Sequence, residues 1–298
     1  MKKLLLLMLV SFSACSQNGE TIDTADSRLS YRTFGSGQPL LIINGGPGMN
    51  SDGFVPLAEK LSENNLAILY DQRGTGKSTL KNSSADTMAM DLLVSDIETL
   101  RKHLKLEKWI VLGHSFGGML ASYYATKHPD RIDKLILSSS GGIDLNLLTY
   151  VGDRTNKLLT KQQRDSLAYW NRKLNSGDTS YTARIGRGRA LAPAYVYNKK
   201  NVPEIAERLT QGNMQINRML WEDMRRIGFD CKEKLAGFKQ PVLVIAGKND
   251  LLDIETAKRS HKAFPNSKLV LLDKCGHYGW LDREDDYLDE IHNFLKAD

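Results

Sequence analysis

Cysteine is scarce, with three in 298 residues, which excludes a small fold stapled by disulfides. Apolar stretches are short. None approaches the roughly 20 residues that span a bilayer as a helix, so a polytopic membrane protein is out. No Lys/Arg-rich tract occurs, and a formal charge of +6 is too mild to imply a nucleic-acid surface. The histidines and cysteines lack zinc spacing, and no Gly-rich phosphate loop stands out, so no metal or cofactor is expected. Internal repeats and low-complexity tracts are absent. What is present is globular composition, 41% hydrophobic and 26% charged. The length suits one large domain, or a core with an insertion.

The N-terminus reads as an address. Met1-Lys2-Lys3 leads into the apolar run Leu4–Val10, and Ser11-Phe12-Ser13-Ala14-Cys15 follows. Basic, apolar, then small residues is a secretory signal pattern, here over residues 1–14. The Cys after Ser13-Ala14 resembles a bacterial lipoprotein lipobox, in which Cys15 becomes the acylated first residue. A plain signal peptide with an incidental Cys is the alternative. Ser16 after the Cys resembles an outer-membrane sorting signal. The expectation is a bacterial envelope protein, lipid-anchored at the outer membrane before the inner, facing periplasm or surface. Removal of Lys2 and Lys3 takes the formal charge to 6 − 2 = +4. Residues 15–27 are polar and read as a tether. Cys231 and Cys275 then remain, expected as two free thiols, although an oxidising envelope permits one disulfide.

From Leu40 onward, short apolar runs alternate with helical patterns. Residues 40–43, 66–70, 109–112, 135–137, 242–245 and 269–272 are continuous apolar runs. Continuous rather than alternating runs mean strands covered on both faces, as in a parallel sheet. Leu93, Ile97, Leu100 and Leu104 form one helical stripe, and residues 116–127 and 284–296 have similar character. Strand–helix alternation argues for an open α/β sheet. The rhythm fails between Gly142 and Gly237. That stretch reads helical and holds 17 Lys/Arg against 10 Asp/Glu, a net of 17 − 10 = +7. The expected organisation is a core over 28–141 and 239–298 with a helical cap over 142–238.

Gly113-His114-Ser115-Phe116-Gly117 fits G-x-S-x-G, directly after one strand run and before a helical segment. A nucleophile lifted above a sheet edge needs a sharp turn, and small residues on either side let strand and helix approach. Ser115 then stands at a helix N-terminus, where partial positive charge favours a developing anion. Serine needs a base. His103, His261 and His292 lie in helical stretches, His128 precedes Pro129, and His114 is inside the turn. His277 follows the last strand run in a Gly-flanked loop, where open α/β sheets place active groups. The base needs a carboxylate. Asp250, straight after run 242–245, is the first choice and Asp253 the rival; a helix N-cap is the bland role for either. The order Ser115, Asp250, His277 is that of the α/β-hydrolase fold. Two backbone N–H groups should hold the oxyanion. Phe116 supplies one, and Asn44-Gly45-Gly46-Pro47-Gly48 the other, Gly46 ahead of Gly45.

With these residues in view, the chain resembles α/β-hydrolase-fold serine hydrolases, and within them is similar to the proline iminopeptidase (prolyl aminopeptidase) family. Asn44–Gly48 matches that family's H-G-G-P-G loop except at its first position. Asp71-Gln72-Arg73-Gly74-Thr75-Gly76-Lys77-Ser78 matches D-Q-R-G-x-G-x-S. The turn reads G-H-S-F-G rather than G-G-S-W-G, wording more usual among esterases. The D-Q-R-G block also has a structural reading, with Asp71 and Arg73 as an ion pair.

The resemblance implies a mostly parallel sheet flanked by helices with an inserted cap, and cap carboxylates holding a substrate α-ammonium. Glu222 is the first candidate and Glu204 the second, either of which could instead be an exposed acid. The basic cap would draw anionic substrates. Three functions remain open: a short-peptide aminopeptidase, a carboxylesterase or lactonase with the same triad, and a non-enzymatic lipid-anchored binding protein. Partners are then a small-molecule or short-peptide substrate and a membrane, without nucleic acid.

Overall fold

Leu40-Leu41-Ile42-Ile43 is fully buried, yet its side chains leave the backbone in opposite directions. Leu41 and Ile43 pack with Val111, Leu135 and Val244 on one face of a sheet. Leu40 and Ile42 pack with Leu112, Ile136 and Leu243 on the other. Both faces are covered, so the run shows no polar alternation. Helices Met90–His103, Phe116–Lys127 and Ile254–Ala263 cover the first face; Val55–Leu61 and Glu284–Lys296 cover the second.

The computed structural model describes residues 19–297, so residues 1–14 and Cys15 lie outside the described residues. Among the described residues the strands are β1 (Glu20–Asp23), β2 (Ser27–Phe34), β3 (Gln38–Ile43), β4 (Asn65–Tyr70), β5 (Thr79–Leu80), β6 (Trp109–His114), β7 (Ile132–Ser138), β8 (Val242–Gly247) and β9 (Ser267–Leu272). Their order is β1-β2-β4-β3-β6-β7-β8-β9, with β5 beside β2. From β4 to β9 along that order every pairing is parallel, while β2 joins β4 antiparallel. Parallel strands share one C-terminal edge. The loops after β3, β6, β8 and β9 therefore open on the same side.

All six apolar runs are strands. The last is less buried than expected, because β9 is an edge strand, and Lys268 on it reaches Glu290. The antiparallel strands β1, β2 and β5 are additions to the sequence reading. They correct the tether over 15–27: Glu20–Asp23 pairs with Arg28–Tyr31, and Ile22 is buried against the core. Alternating polar residues hid a strand with one wet face. Among the described residues, no helix is long and apolar enough to cross a membrane. Cys231 and Cys275 are free and buried.

Between β7 and β8 run helices Val151–Leu158, Lys161–Asn175, Tyr181–Leu191, Val202–Arg208, Met214–Arg226 and Lys232–Leu235. Local signals set them. Thr160 and Gln163 close a capping box. Asn213 Oδ1 accepts from the N–H groups of Gln215 and Ile216. Ile216, Leu220 and Met224 then form one buried stripe.

The D-Q-R-G block is structural, but its pairing differs from the expected one. Arg73 is bidentate to Asp96, at 2.7 Å for each bond, and also donates to Asp26. Asp71 instead accepts from Ser51 N, Ser51 Oγ and Lys77 N, each at 2.8 Å. Arg73 and Asp96 are both almost fully buried. Removing one partner strands a buried charge, at a cost of about 3–5 kcal/mol. Asp96→Ala should therefore lower the unfolding free energy measured by urea melts by that amount, whereas a surface break such as Lys161→Ala, on an exposed pair with Asp165, should cost under about 1 kcal/mol. Equal losses would contradict the reading.

Candidate active site

β6 ends at His114, and the helix Phe116–Lys127 begins two residues later. Ser115 makes the turn at φ 56 and ψ −120. A non-glycine residue there stores roughly 1–3 kcal/mol of strain. Close packing holds it. A Cβ on Gly113 would sit 2.3 Å from the Gly117 carbonyl, and one on Gly117 2.1 Å from that of Ile43. Ser115 N donates to Ser138 O at 3.0 Å, and Ser115 O accepts from Gly141 N at 2.9 Å.

His277 arrives from the loop after β9. Its backbone N–H donates to Tyr195 O at 2.7 Å. Its Nδ1 lies 2.9 and 3.0 Å from the two carboxylate oxygens of Asp250. A carboxylate only accepts, so Nδ1 carries a proton, and in the neutral ring Nε2 is then the acceptor. Asp250 is held in turn by Leu252 N at 2.9 Å and, through its carbonyl, by Arg154 Nε at 2.8 Å. The rival Asp253 caps the helix Ile254–Ala263, accepting from Glu255 N at 3.0 Å.

Ser115 and His277 line one cavity of about 340 Å³, together with Gly46 and Phe116. Ser115 and His277 are not hydrogen-bonded to each other in this structure; such contacts commonly tighten only on substrate. Gly46 has φ +79. Among the described residues, the N–H groups of Gly46 and Phe116 have no protein acceptor, and they are free to face an oxyanion. Gly45 does not line the cavity. A Cβ there would lie 2.7 Å from Ser115 Cβ, so it is a spacing residue.

The remaining histidines stay apart from this pairing, except His114. Its ring lies 4.6 Å from that of His277 and packs on Phe54, Tyr278 and Trp280. Burial, with His277 and Arg208 nearby, pushes its pKa well below the usual imidazole range. It is a neutral wall beside the base.

Two supports of the Gly46 loop were not visible in the sequence. Asn44 Nδ2 reaches the carbonyls of Gly45, Met49 and Asn50, while Gln72 Nε2 donates to Asn44 O. Arg208, 4% exposed, donates to Gly45 O at 3.1 Å and Asn50 O at 3.2 Å. Gly45 C=O and Gly46 N–H belong to one peptide unit, so the guanidinium polarises the donor. In the sequence Arg208 resembles every other arginine of a polar helical stretch.

The two acids read as ammonium holders are elsewhere. Glu222 is exposed and outside the cavity lining. Glu204 lines a separate depression beside Asp52 and Glu207. The buried acid of that segment is Asp223, which caps the helix Met90–His103 through Met90 N at 2.8 Å. Amphipathic spacing put Asp223, rather than Glu222, on the inward side. Among the described residues, no Asp or Glu lines the cavity shared by Ser115 and His277; Arg187 is the one Arg or Lys there, among apolar residues such as Leu147, Leu191, Leu252 and Trp221.

A family model described as the alpha/beta hydrolase fold matches residues 38–284. The chain belongs to the α/β-hydrolase family. Its sequence relatives include the proline iminopeptidase of Lactobacillus crispatus, 29% identical over 86% of this chain and 89% of the relative. That of Heyndrickxia coagulans is 27% identical over 93% and 98%. Similar solved structures include an α/β-fold hydrolase from Bacillus anthracis, at TM-score 0.77 and 20% identity over 95% of this chain and all of that one. An esterase from Rhodococcus sp. matches at 0.73 and 17% over 96% and 99%. This hydrolase thus has peptidase relatives by sequence, and its fold is shared with esterases.

The elbow geometry makes one sharp demand. Gly117→Ala should destabilise this hydrolase by about 1–3 kcal/mol or more. Gly152→Ala, where the added Cβ meets nothing within 4 Å in a helix, should be neutral or stabilise by about 0.5–1 kcal/mol. Denaturant melts of the two variants check this, and a tolerated Gly117→Ala would refute the close approach.

Proposed function

We propose that this protein is a serine hydrolase that cleaves small acyl compounds through an acyl-enzyme on Ser115. The observation that carries it is the Asp250-oriented His277 sharing one cavity with Ser115 and two unpaired backbone N–H groups. Ser115 Oγ attacks the substrate carbonyl carbon as His277 Nε2 takes its proton. Asp250 holds the tautomer and supports the imidazolium. The N–H groups of Gly46 and Phe116 stabilise the oxyanion. The tetrahedral species collapses, and His277 protonates the leaving group. Water then enters, His277 deprotonates it, and the acid leaves as Ser115 regains its proton.

Similarity along most of the chain supports a proline-iminopeptidase-like aminopeptidase acting on short peptides. One specific observation favours a second reading, a carboxylesterase or lactonase. An aminopeptidase must hold a free α-ammonium, and the catalytic cavity offers it Arg187 and no carboxylate. The cavity therefore fits a substrate without a cation beside the scissile carbonyl. The N-terminal pattern through Cys15 supports an envelope location with a lipid anchor.

A panel of prolyl arylamide, its N-acetyl form and short acyl esters should show ester turnover, abolished in Ser115→Ala. Amine-dependent arylamide cleavage would restore the peptidase reading, and no fluorophosphonate labelling of Ser115 would leave a binding protein. Asp250→Asn should lower kcat by roughly 10³–10⁴-fold, whereas Asp253→Ala should cost about 1 kcal/mol of stability and change kcat little. With His114 neutral throughout, kcat/KM should fall on the acid side with the slope of a single proton; a two-proton slope would contradict that. Labelled palmitate should enter the wild-type chain expressed in a bacterium and not Cys15→Ala.

A further inference from the structure

Beyond the catalytic cavity lies a larger one of about 760 Å³, which shares Arg187, Asn217 and Trp221 with it. Arg184, Arg218 and Arg225 join Arg187 in its lining, and among the described residues no Asp or Glu does. Several arginines elsewhere in the molecule are ion-paired. Arg73 is spent on Asp96, Arg101 on Glu98, and Arg226, next to Arg225 in sequence, on Asp223. Arg184 donates only to Thr210 O, and Arg187 to Asn171 Oδ1. Among the described residues, no carboxylate lies within 4.0 Å of any of the four.

Four like charges around one concavity repel each other, and an entering anion relieves that repulsion. Guanidinium groups also match a carboxylate in two-point geometry. Arg187 stands in both cavities, so an anion held there can be part of a substrate whose carbonyl reaches Ser115. We propose that the arginine-lined cavity is a carboxylate subsite, and that the substrate is an ester or amide carrying a carboxylate away from its scissile bond. This rests on the serine-hydrolase reading and names its substrate class.

Two matched pairs test it. 4-Nitrophenyl hydrogen glutarate against 4-nitrophenyl valerate places the charge on the acyl side; 4-acetoxybenzoate against its methyl ester places it on the leaving group. In low salt, kcat/KM for at least one anionic member should exceed its neutral partner by about tenfold, chiefly in KM. Raising NaCl to about 0.5 M should shrink that ratio, since exposed guanidinium charges are screened. Arg218→Ala/Arg225→Ala should shrink it as well, and both residues are exposed, so the fold should survive. A ratio at or below one in both pairs overturns the proposal, as does a ratio untouched by salt and by the double variant. Failure of the hydrolase reading looks different: no ester is cleaved and Ser115 takes no fluorophosphonate. The subsite is then read by calorimetry with glutarate, where binding lost in the double variant supports it and no binding to wild type overturns it.

Discussion

Ser115 sits in a backbone conformation that side chains avoid, and much of the central architecture follows from keeping it there. The strain of roughly 1–3 kcal/mol is tolerable only if the surroundings over-determine the turn. They do so by contact. Gly113 faces Gly117, Gly117 faces the Ile43 carbonyl, and Gly45 faces Ser115 itself, each at distances that leave no room for a methyl group. The glycines let β3, β6 and the following helix approach closely around Ser115. Gly46 and Phe116 line the same cavity.

The sheet supplies the second constraint. Because β3, β6, β7, β8 and β9 run parallel, chain segments separated by long stretches of sequence end at a common edge. The helices inserted between β7 and β8 then grip those loops one by one. Asn213 N donates to Gly48 O, Asn217 to Pro47 O, Arg208 to Gly45 O, and Arg154 to Asp250 O, while Tyr195 O receives the His277 N–H. The insertion is therefore part of the frame that holds these loops, as well as a wall of the cavity they open on. Four of its arginines line the larger cavity that adjoins the one at Ser115.

Local chemistry explains which features were legible in the sequence. Runs such as Leu40–Ile43 are apolar on both faces because helices cover both, and that signal survives without any neighbour being known. Ser115, Asp250 and His277 stood out through glycine-rich surroundings and their places after strand runs. β1 did not stand out, because a strand with one wet face among polar residues looks like a linker. Arg73 pairs with Asp96, on a helix further along, rather than with Asp71 two residues away. Glu222 and Asp223 are adjacent acids, and only helical phase decides which is buried.

Sequence alone was enough to determine the alternation of buried runs and helices, the sharp serine turn, and the candidate nucleophile, acid and base. Each depends on residue type and near neighbours: branched apolar side chains for covered strands, missing Cβ atoms for tight turns, a carboxylate and an imidazole in loops. Only the tertiary structure decided which carboxylate faces His277, which acids stay out of the cavity, and that four unpaired arginines converge beside it. Those outcomes depend on long-range packing and helix rotation, which bring together groups whose spacing along the chain carries no record of their meeting.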